Sequence, residues 1–261
     1  AAIGARLVLA DLDSGRLDAL TAGLGSGATA LTVDVTDADD LDRLVEYVER
    51  THGRIDLLVH AGGVVVTTPF AERSDASIAA EIDLDLTSPL VLTRRALPLL
   101  RRGRLADGMR AQVIALGSLG GVLPMPDQTV YAAAKAGLRA AMVSLGTALR
   151  PEGIGVTSVM PSSVDTPMLW REVAEGGNAL QFLGPPQTPG QVADHVVAAI
   201  GTRRTEVFPN RVDGLLARAA MLAPGALPWL LPALEPLGRR GMARYRRELE
   251  SRGDLPDRFP S

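Results

Sequence analysis

The sequence predicts an α/β fold, a parallel doubly wound sheet in a three-layer α/β/α arrangement. Three observations carry that prediction. Strand-like runs at 6–10, 29–33, 55–60, 111–116, 154–160 and 205–209 alternate with stretches of helical pattern, the order expected of strand–helix–strand units. The run 111–116 reads as a buried parallel strand, with glycines directly after it marking the turn at its carboxyl end. A chain of 261 residues, 46% hydrophobic and 22% charged, also suffices for one globular core.

Taken in order, Ala5–Asp11 is a strand that ends in an acid, and 14–22 is helix-like. Gly23-Leu24-Gly25-Ser26-Gly27 follows that helix rather than a strand, so it reads as a loop and not as a phosphate cradle. Residues 41–50 set Leu41, Leu44, Val45 and Val48 on one apolar stripe. Residues 129–149 carry apolar positions at helical spacing, which places Tyr131 and Lys135 near the start of a helix.

After residue 209 the composition shifts. Residues 203–258 hold 11 arginines against 7 acids, whereas 1–202 hold 16 basic residues against 23 acids. We expect a catalytic unit over 1–209 and an extension over 210–261. Within the extension, Leu215–Leu237 is apolar but interrupted by Pro224, Pro228, Pro232 and Pro236; a membrane-spanning helix needs about 20 less interrupted residues. Three readings of it stand: a lid over a substrate cleft, a subunit contact in a homo-oligomer, and a peripheral membrane contact through 215–247. Arg239, Arg240, Arg244, Arg246 and Arg247 keep the last of these open.

Net charge −3 and a pI near 5.7 carry no polyanion-binding footprint, so no nucleic-acid partner is expected. The chain has no cysteine to build a disulfide framework. No targeting pattern is evident, and the expected location is cytoplasmic, with the membrane-peripheral reading beside it. His52, His60 and His195 do not combine with acids at metal-ligand spacing, and no metal is expected.

Of the 27 basic residues, 26 are arginine; the one lysine is Lys135, four positions after Tyr131 in Tyr131-Ala132-Ala133-Ala134-Lys135. Lysine is a compact point charge where arginine is a planar fork, and positions i and i+4 share a helix face. Phenol and ammonium therefore point into one cleft. Thirteen residues earlier, Ser118 lies just past the strand 111–116, where open α/β sheets bind their ligands. Ser118, Tyr131 and Lys135 can meet over one substrate atom. The bland alternatives are a turn serine and an exposed helical pair.

On this set the sequence resembles the short-chain dehydrogenase/reductase family, in its single-domain branch. The resemblance runs from about residue 5 to residue 209 and includes Ala5–Asp11, Thr32–Asp37, Asp56–Val64 and Met160–Met168. It implies a Rossmann-like sheet of order 3-2-1-4-5-6-7 and hydride transfer between a nicotinamide and an alcohol or ketone. Tyr131 would exchange the proton. A phenol ordinarily titrates near about 10, and the Lys135 ammonium would lower that value while bonding the nicotinamide ribose. Ser118 would hold the substrate oxygen. Asp11 would accept from the adenosine ribose hydroxyls and repel a 2′-phosphate, favouring NAD over NADP; Asp13 competes for that role. Asp34 resembles the acid that contacts adenine, with Val35 beside it. His60, Ala61 and Gly62 follow the strand at the cofactor crevice, and Val164 and Thr166 match positions that hold the carboxamide and phosphate. Met168, Leu169, Trp170, Leu180, Phe182 and Leu183 are candidates to line an apolar substrate pocket, with plain packing the bland alternative.

The departures from the family pattern also set expectations. A first strand and its glycine-rich turn are not seen, and Ala1–Gly4 resemble the tail of the helix after them; such a unit is roughly 30 residues. The strand would lie between those at 6–10 and 55–60, and the chain as it stands is expected to bind dinucleotide weakly. Asp85 stands where asparagine is usual, behind the lysine in a proton relay; it adds negative charge, which would raise the ammonium's pKa and partly offset its pull on Tyr131. His60-Ala61-Gly62-Gly63 replaces Asn-Asn-Ala-Gly, with His60 expected to bond backbone, and Ser162 replaces a glycine. Two other classes bear weighing. A serine hydrolase elbow needs G-x-S-x-G, and residue 116 is leucine. A non-catalytic scaffold would accord with the absent glycine turn but not with the retained Ser118, Tyr131 and Lys135.

Overall fold

The computed structural model describes residues 4–106 and 108–254; the helix-tail expectation for Ala1–Ile3 lies outside the described residues. In chain order the main elements are β1 (Leu7–Asp11), α1 (Ser14–Leu24), β2 (Ala28–Thr32), α2 (Ala38–His52), β3 (Leu57–His60), α3 (Asp75–Ile82) and α4 (Ser88–Leu100). Then follow β4 (Ala111–Leu116), α5 (Thr129–Leu149), β5 (Ile154–Val159), α6 (Pro167–Ala174), α7 (Pro189–Ala199), β6 (Glu206–Val207), α8 (Arg211–Ala220) and α9 (Leu227–Arg252). Asp13 caps α1 through the Arg16 N–H, and Asp37 caps α2 through the Asp39 and Asp40 N–H groups, so both helices begin at side-chain acceptors for unpaired donors.

All strand pairing is parallel, but it falls into two sheets, β1–β2 and β3–β4–β5–β6. The division lies between β1 and β3, where the resemblance places a further strand. Helices bridge it on one face. Leu41, Leu44 and Val48 of α2 bury with Leu92 and Leu99 of α4, and Val8, Leu31 and Leu58 from both sheets pack against them. α5 extends this layer over β4 and β5 through Leu138 and Met142. On the opposite face, Val192 and Ala199 of α7 meet Ile114, Val159 and Val207. The division leaves its mark on burial: Val59 in β3 is 40% exposed, while Ala111, Val113, Ile114 and Ala115 of β4 are buried. The parallel strand bordering the division is thus wet, unlike the usual parallel strand covered on both faces.

In the extension, the structure corrects the reading of the prolines. α9 runs unbroken through Pro232 and Pro236. Pro228 falls in the first turn, where its missing N–H would be unpaired in any case. Pro232 and Pro236 follow at steps of four and are exposed, so the carbonyls they leave without donors share one wet stripe. The break comes instead at 221–226, where α8 and α9 meet at 91°.

α9 lies across the 3₁₀ turn Ala179–Phe182. A methyl on Gly238 would stand 2.4 Å from the Ala179 carbonyl oxygen, and one on Gly241 would stand 2.0 Å from that of Phe182. Only glycine permits backbones this close. We expect Gly241→Ala to lift α9 from this turn and lower stability by about 1–3 kcal/mol, the usual range for overpacking. Gly225→Ala, with open space around the added methyl, should leave the thermal midpoint within a degree or so of wild type. Equal midpoints for the two variants in a thermal melt would refute the clamp.

Candidate active site

Ser118, Tyr131 and Lys135 gather at the carboxyl end of β4. Ser118 follows β4 in extended conformation, and its Oγ accepts the Gly120 N–H at 3.0 Å, opening the tight turn Leu119–Gly121. The glycines here let the turn lie against α5. A methyl on Gly120 would sit 3.4 Å from Ser118 Oγ and 3.5 Å from the Tyr131 ring; one on Gly121 would sit 2.7 Å from the Lys135 backbone. Tyr131 and Lys135 share a face of α5, with Nζ 5.5 Å from the ring centroid. Hydroxyl, phenol and ammonium therefore converge on one side of the strand end.

Asp85 joins them through a feature that periodicity did not predict. Between α3 and α4 the chain makes a π-helical stretch, Asp83–Thr87, and such bulges are common at functional sites. Asp85 is buried there, with Oδ1 3.4 Å from Lys135 Nζ and accepting the Val64 N–H at 3.0 Å. Its other oxygen, Oδ2, is buried without a partner. Asp85 is not a solvated surface acid. Burial raises its pKa, against the opposing pull of Lys135 and the Val64 N–H. A methyl on Gly63 would lie 2.9 Å from both Asp85 Oδ1 and Lys135 Nζ, so the glycine makes room for the ion pair. Val66 N–H donates to Glu81, which is held in turn by Arg73 in a buried ion pair. Two carboxylates on the α3 side thereby fix the loop that leaves β3.

The expected depression of the Tyr131 pKa is not found. Burial pushes the phenol up; Ser118 pulls it down, while the negative charges of Asp85, Glu172 and Glu81 raise it further. Lys135 directs its charge to Asp85, which explains why the ammonium does not prevail over burial. Glu172, on α6, was not singled out from the sequence. It is buried and accepts from Gln128 Nε2 at 3.1 Å and Gln181 Nε2 at 2.6 Å, and burial raises its pKa. Its sequence signal is an acid on the Leu169–Val173 face of an amphipathic helix.

The cofactor candidates lie at the strand ends but do not all point to one role. Asp11, at the exposed end of β1, accepts from the Asp13 N–H at 3.0 Å. Asp13 itself is engaged in capping α1 and in an ion pair with Arg16 at 3.3 Å. Asp34 accepts from the Thr36 N–H at 2.8 Å and hydroxyl at 2.6 Å, and these bonds lower its pKa; Val35 packs beside α2 and α4. Ala61 and Gly62 are exposed after β3. His60 does not bond backbone as expected: its Nε2 meets the Thr93 hydroxyl of α4 at 2.8 Å, because the ring turns toward the helix layer. Val164 bridges to Gln187, and Thr166 caps its own turn by donating to the Val164 carbonyl at 3.2 Å. Asp11-Leu12-Asp13, which lead from β1 into α1, contain no glycine, and Gly25–Gly27 leads from α1 into β2.

Of the two readings of the apolar loop, the structure shows packing for most of its side chains. Leu169 and Phe182 bury against Tyr245 and Leu249 of α9, with Trp170 packed beside them, and Leu180 buries against Leu227 and Leu231. Met168 and Leu183 are exposed. The apolar stripe of α9 takes up most of the side chains expected to face substrate. Between them sits Asp165, accepting from Trp170 Nε1 at 2.6 Å, from the Tyr245 hydroxyl, and from Arg252 at 2.8 and 3.1 Å. The Arg252 guanidinium, with Tyr245 and Trp170, holds the Asp165 carboxyl down at about 2.

A sequence model of the short chain dehydrogenase family matches residues 1–176. Oxidoreductase asL5 of Sarocladium schorii is 30% identical over 210 residues, 78% of this chain and 82% of that protein. Galactitol 2-dehydrogenase of Agrobacterium fabrum is 29% identical over 165 residues, 63% of each chain. Among solved structures, gox2181 superposes with a TM-score of 0.69 at 23% identity, covering 80% of this chain and 86% of that one, a likeness of fold. The chain belongs to the short-chain dehydrogenase family, whose members are oxidoreductases that use a nicotinamide nucleotide.

Burial lowers the His60 pKa to about 4, whereas an unfolded histidine titrates near about 6.5. Between those values the unfolded chain binds more protons, so folded stability falls as pH drops from 6.5 toward 4. His60→Asn should flatten that slope in urea melts at pH 7, 5.5 and 4.5. Parallel stability curves for the two proteins would show that His60 is not held neutral by the fold.

Proposed function

We propose that this short-chain dehydrogenase reduces the carbonyl of an apolar ketone, or oxidises the matching alcohol, with NAD as its cofactor. The convergence of Ser118, Tyr131 and Lys135 at the end of β4 carries the proposal. The protonated phenol, kept so by burial and by the carboxylates around it, is the form that donates a proton to a carbonyl oxygen. Ser118 lies within hydrogen-bonding reach of the Tyr131 phenol and would donate to the same substrate oxygen as charge develops on it. When bound, the nicotinamide supplies or takes the hydride.

Lys135 and Asp85 act behind the phenol. The ammonium is buried and anchored by the Asp85 carboxylate, and from this place it would also reach a ribose hydroxyl of the cofactor. The unpartnered Oδ2 of Asp85 is suited to accept from a water that passes protons to Lys135. Asp11, Asp34 and Val35 would hold the adenosine end, His60, Ala61 and Gly62 the middle of the crevice, and Val164 and Thr166 the nicotinamide end. The charge of Asp11 at the exposed end of β1 supports NAD over NADP. The groove walled by Pro124, Met125, Pro126, Leu227 and Leu231 supports an apolar substrate, since its 124–126 wall joins the Ser118 turn to α5. Residues 210–254 serve as a lid that fixes the substrate loop.

With NADH and a panel of aryl ketones, Tyr131→Phe should lower kcat by about 10²–10⁴, the usual contribution of a positioned acid, with NADH affinity retained in a fluorescence titration. Full turnover by this variant would sink the assignment. Asp85→Asn removes a charge that raises the phenol's pKa, so the alkaline limb of the reduction profile should move to lower pH; an unmoved limb would remove Asp85 from the relay. Asp11→Ala should raise the NADPH/NADH ratio of kcat/KM by roughly tenfold or more, because like charges brought together are strongly repelled. An unchanged ratio would assign cofactor choice elsewhere.

A further inference from the structure

The outer surface of α8 and α9 is unlike the rest of the molecule. Among the described residues, eight of the sixteen large exposed hydrophobic side chains lie between 212 and 237. On α8, Gly214 and Ala217 turn inward, leaving Val212, Leu215 and Leu216 on the outer face. At the bend Leu222 is 87% exposed, and on α9 Trp229 is 82% exposed with Leu230 beside it. Leu222 and Trp229 thus stand almost wholly in water at the corner where the helices meet at 91°. Soluble surfaces rarely gather so much apolar area without a partner for it.

The charges around this corner indicate what covers it. The outward stripe of α9 passes from Trp229 and Leu230 through Leu237 to Arg240, Arg244 and Arg247, all exposed. Arg211 opens α8 on the other side. None of these four arginines has an ion-pair partner among the described residues. The acids nearby are already engaged, Asp213 with Asn210 and Glu235 with Arg239. A two-fold contact between copies through this corner would bring arginines against arginines. An anionic lipid surface instead meets apolar side chains with acyl chains and arginines with headgroups. Neither helix is long and apolar enough to cross a membrane alone.

We propose that the α8–α9 corner docks on an anionic lipid surface, with Leu222, Trp229 and their apolar neighbours in the outer acyl layer and Arg211, Arg240, Arg244 and Arg247 at headgroup level. The proposal is independent of the reaction assigned above. The full chain is tested by co-sedimentation with phosphatidylcholine vesicles and with equimolar phosphatidylcholine–phosphatidylglycerol vesicles, with sedimentation velocity run alongside. We expect binding to the anionic vesicles only, weakened by salt, as for a surface attraction. The double variant Leu222→Glu, Trp229→Glu should bind about tenfold more weakly or worse while keeping the wild-type melting midpoint, since both side chains are solvated. Arg240→Glu with Arg244→Glu should abolish the preference for anionic lipid. Absence of wild-type binding, or equal binding by the variants, overturns the proposal. So does a wild-type dimer that ignores vesicles and becomes monomeric in the Leu222→Glu, Trp229→Glu variant, which would make the corner a contact between copies.

Discussion

The buried pair of Lys135 and Asp85 is the constraint on which the candidate site depends. Taking an ammonium and a carboxylate out of water is unfavourable unless each finds the other and further hydrogen bonds. Several local features serve that requirement. Gly63 leaves out the side chain that would occupy the space of the pair. The π-helical stretch 83–87 brings Asp85 inward, and the Val64 N–H completes one carboxylate oxygen. Gly121 lets the Ser118 turn rest on the backbone of Lys135 itself. A guanidinium could not be substituted there without displacing the glycine loop. That is a physical reason for one lysine in a chain that otherwise uses arginine.

The pair also sets the chemistry of Tyr131. An ammonium near a phenol lowers its pKa only to the extent that its charge is not already balanced. Here Asp85 balances it, and Glu81 and Glu172 add negative charge from either side. The phenol therefore stays protonated near neutrality.

Much of this was legible in the sequence, and the limits are physical. The strands at 6–10, 29–33 and 111–116 and the helix 129–149 announced themselves by apolar runs and period, and they fixed Ser118, Tyr131 and Lys135 near one strand end. Asp85 was legible as a type and place, but not as part of a π bulge, since one extra residue per turn has no signature in a single sequence. His60 was misread because Thr93, its partner, lies 33 residues away. Gln128 and Glu172 were missed for the same reason: their bond joins segments 44 residues apart. The prolines misled because the break rule holds for donors needed inside a helix, whereas Pro232 and Pro236 lie on a wet stripe.

The substrate loop shows how packing overrides composition. Leu169, Leu180 and Phe182 looked available for substrate only while α9 was not yet placed. Once α9 lies over them, with Gly238 and Gly241 admitting the carbonyls of 179 and 182, these side chains are core. Asp165 then becomes the electrostatic tie between this loop and α9. It is flanked by Val164 and Thr166, so the contact that locks α9 also orients the turn proposed to hold the nicotinamide end. Depressed to about 2 by Arg252, this carboxylate favours the folded state above the ordinary carboxylate range and loses that contribution as pH falls toward 2. The extension is therefore coupled to the site through one short turn. A force that repositions α9, whether a lipid surface or a second copy, would act on the candidate cleft by way of Asp165.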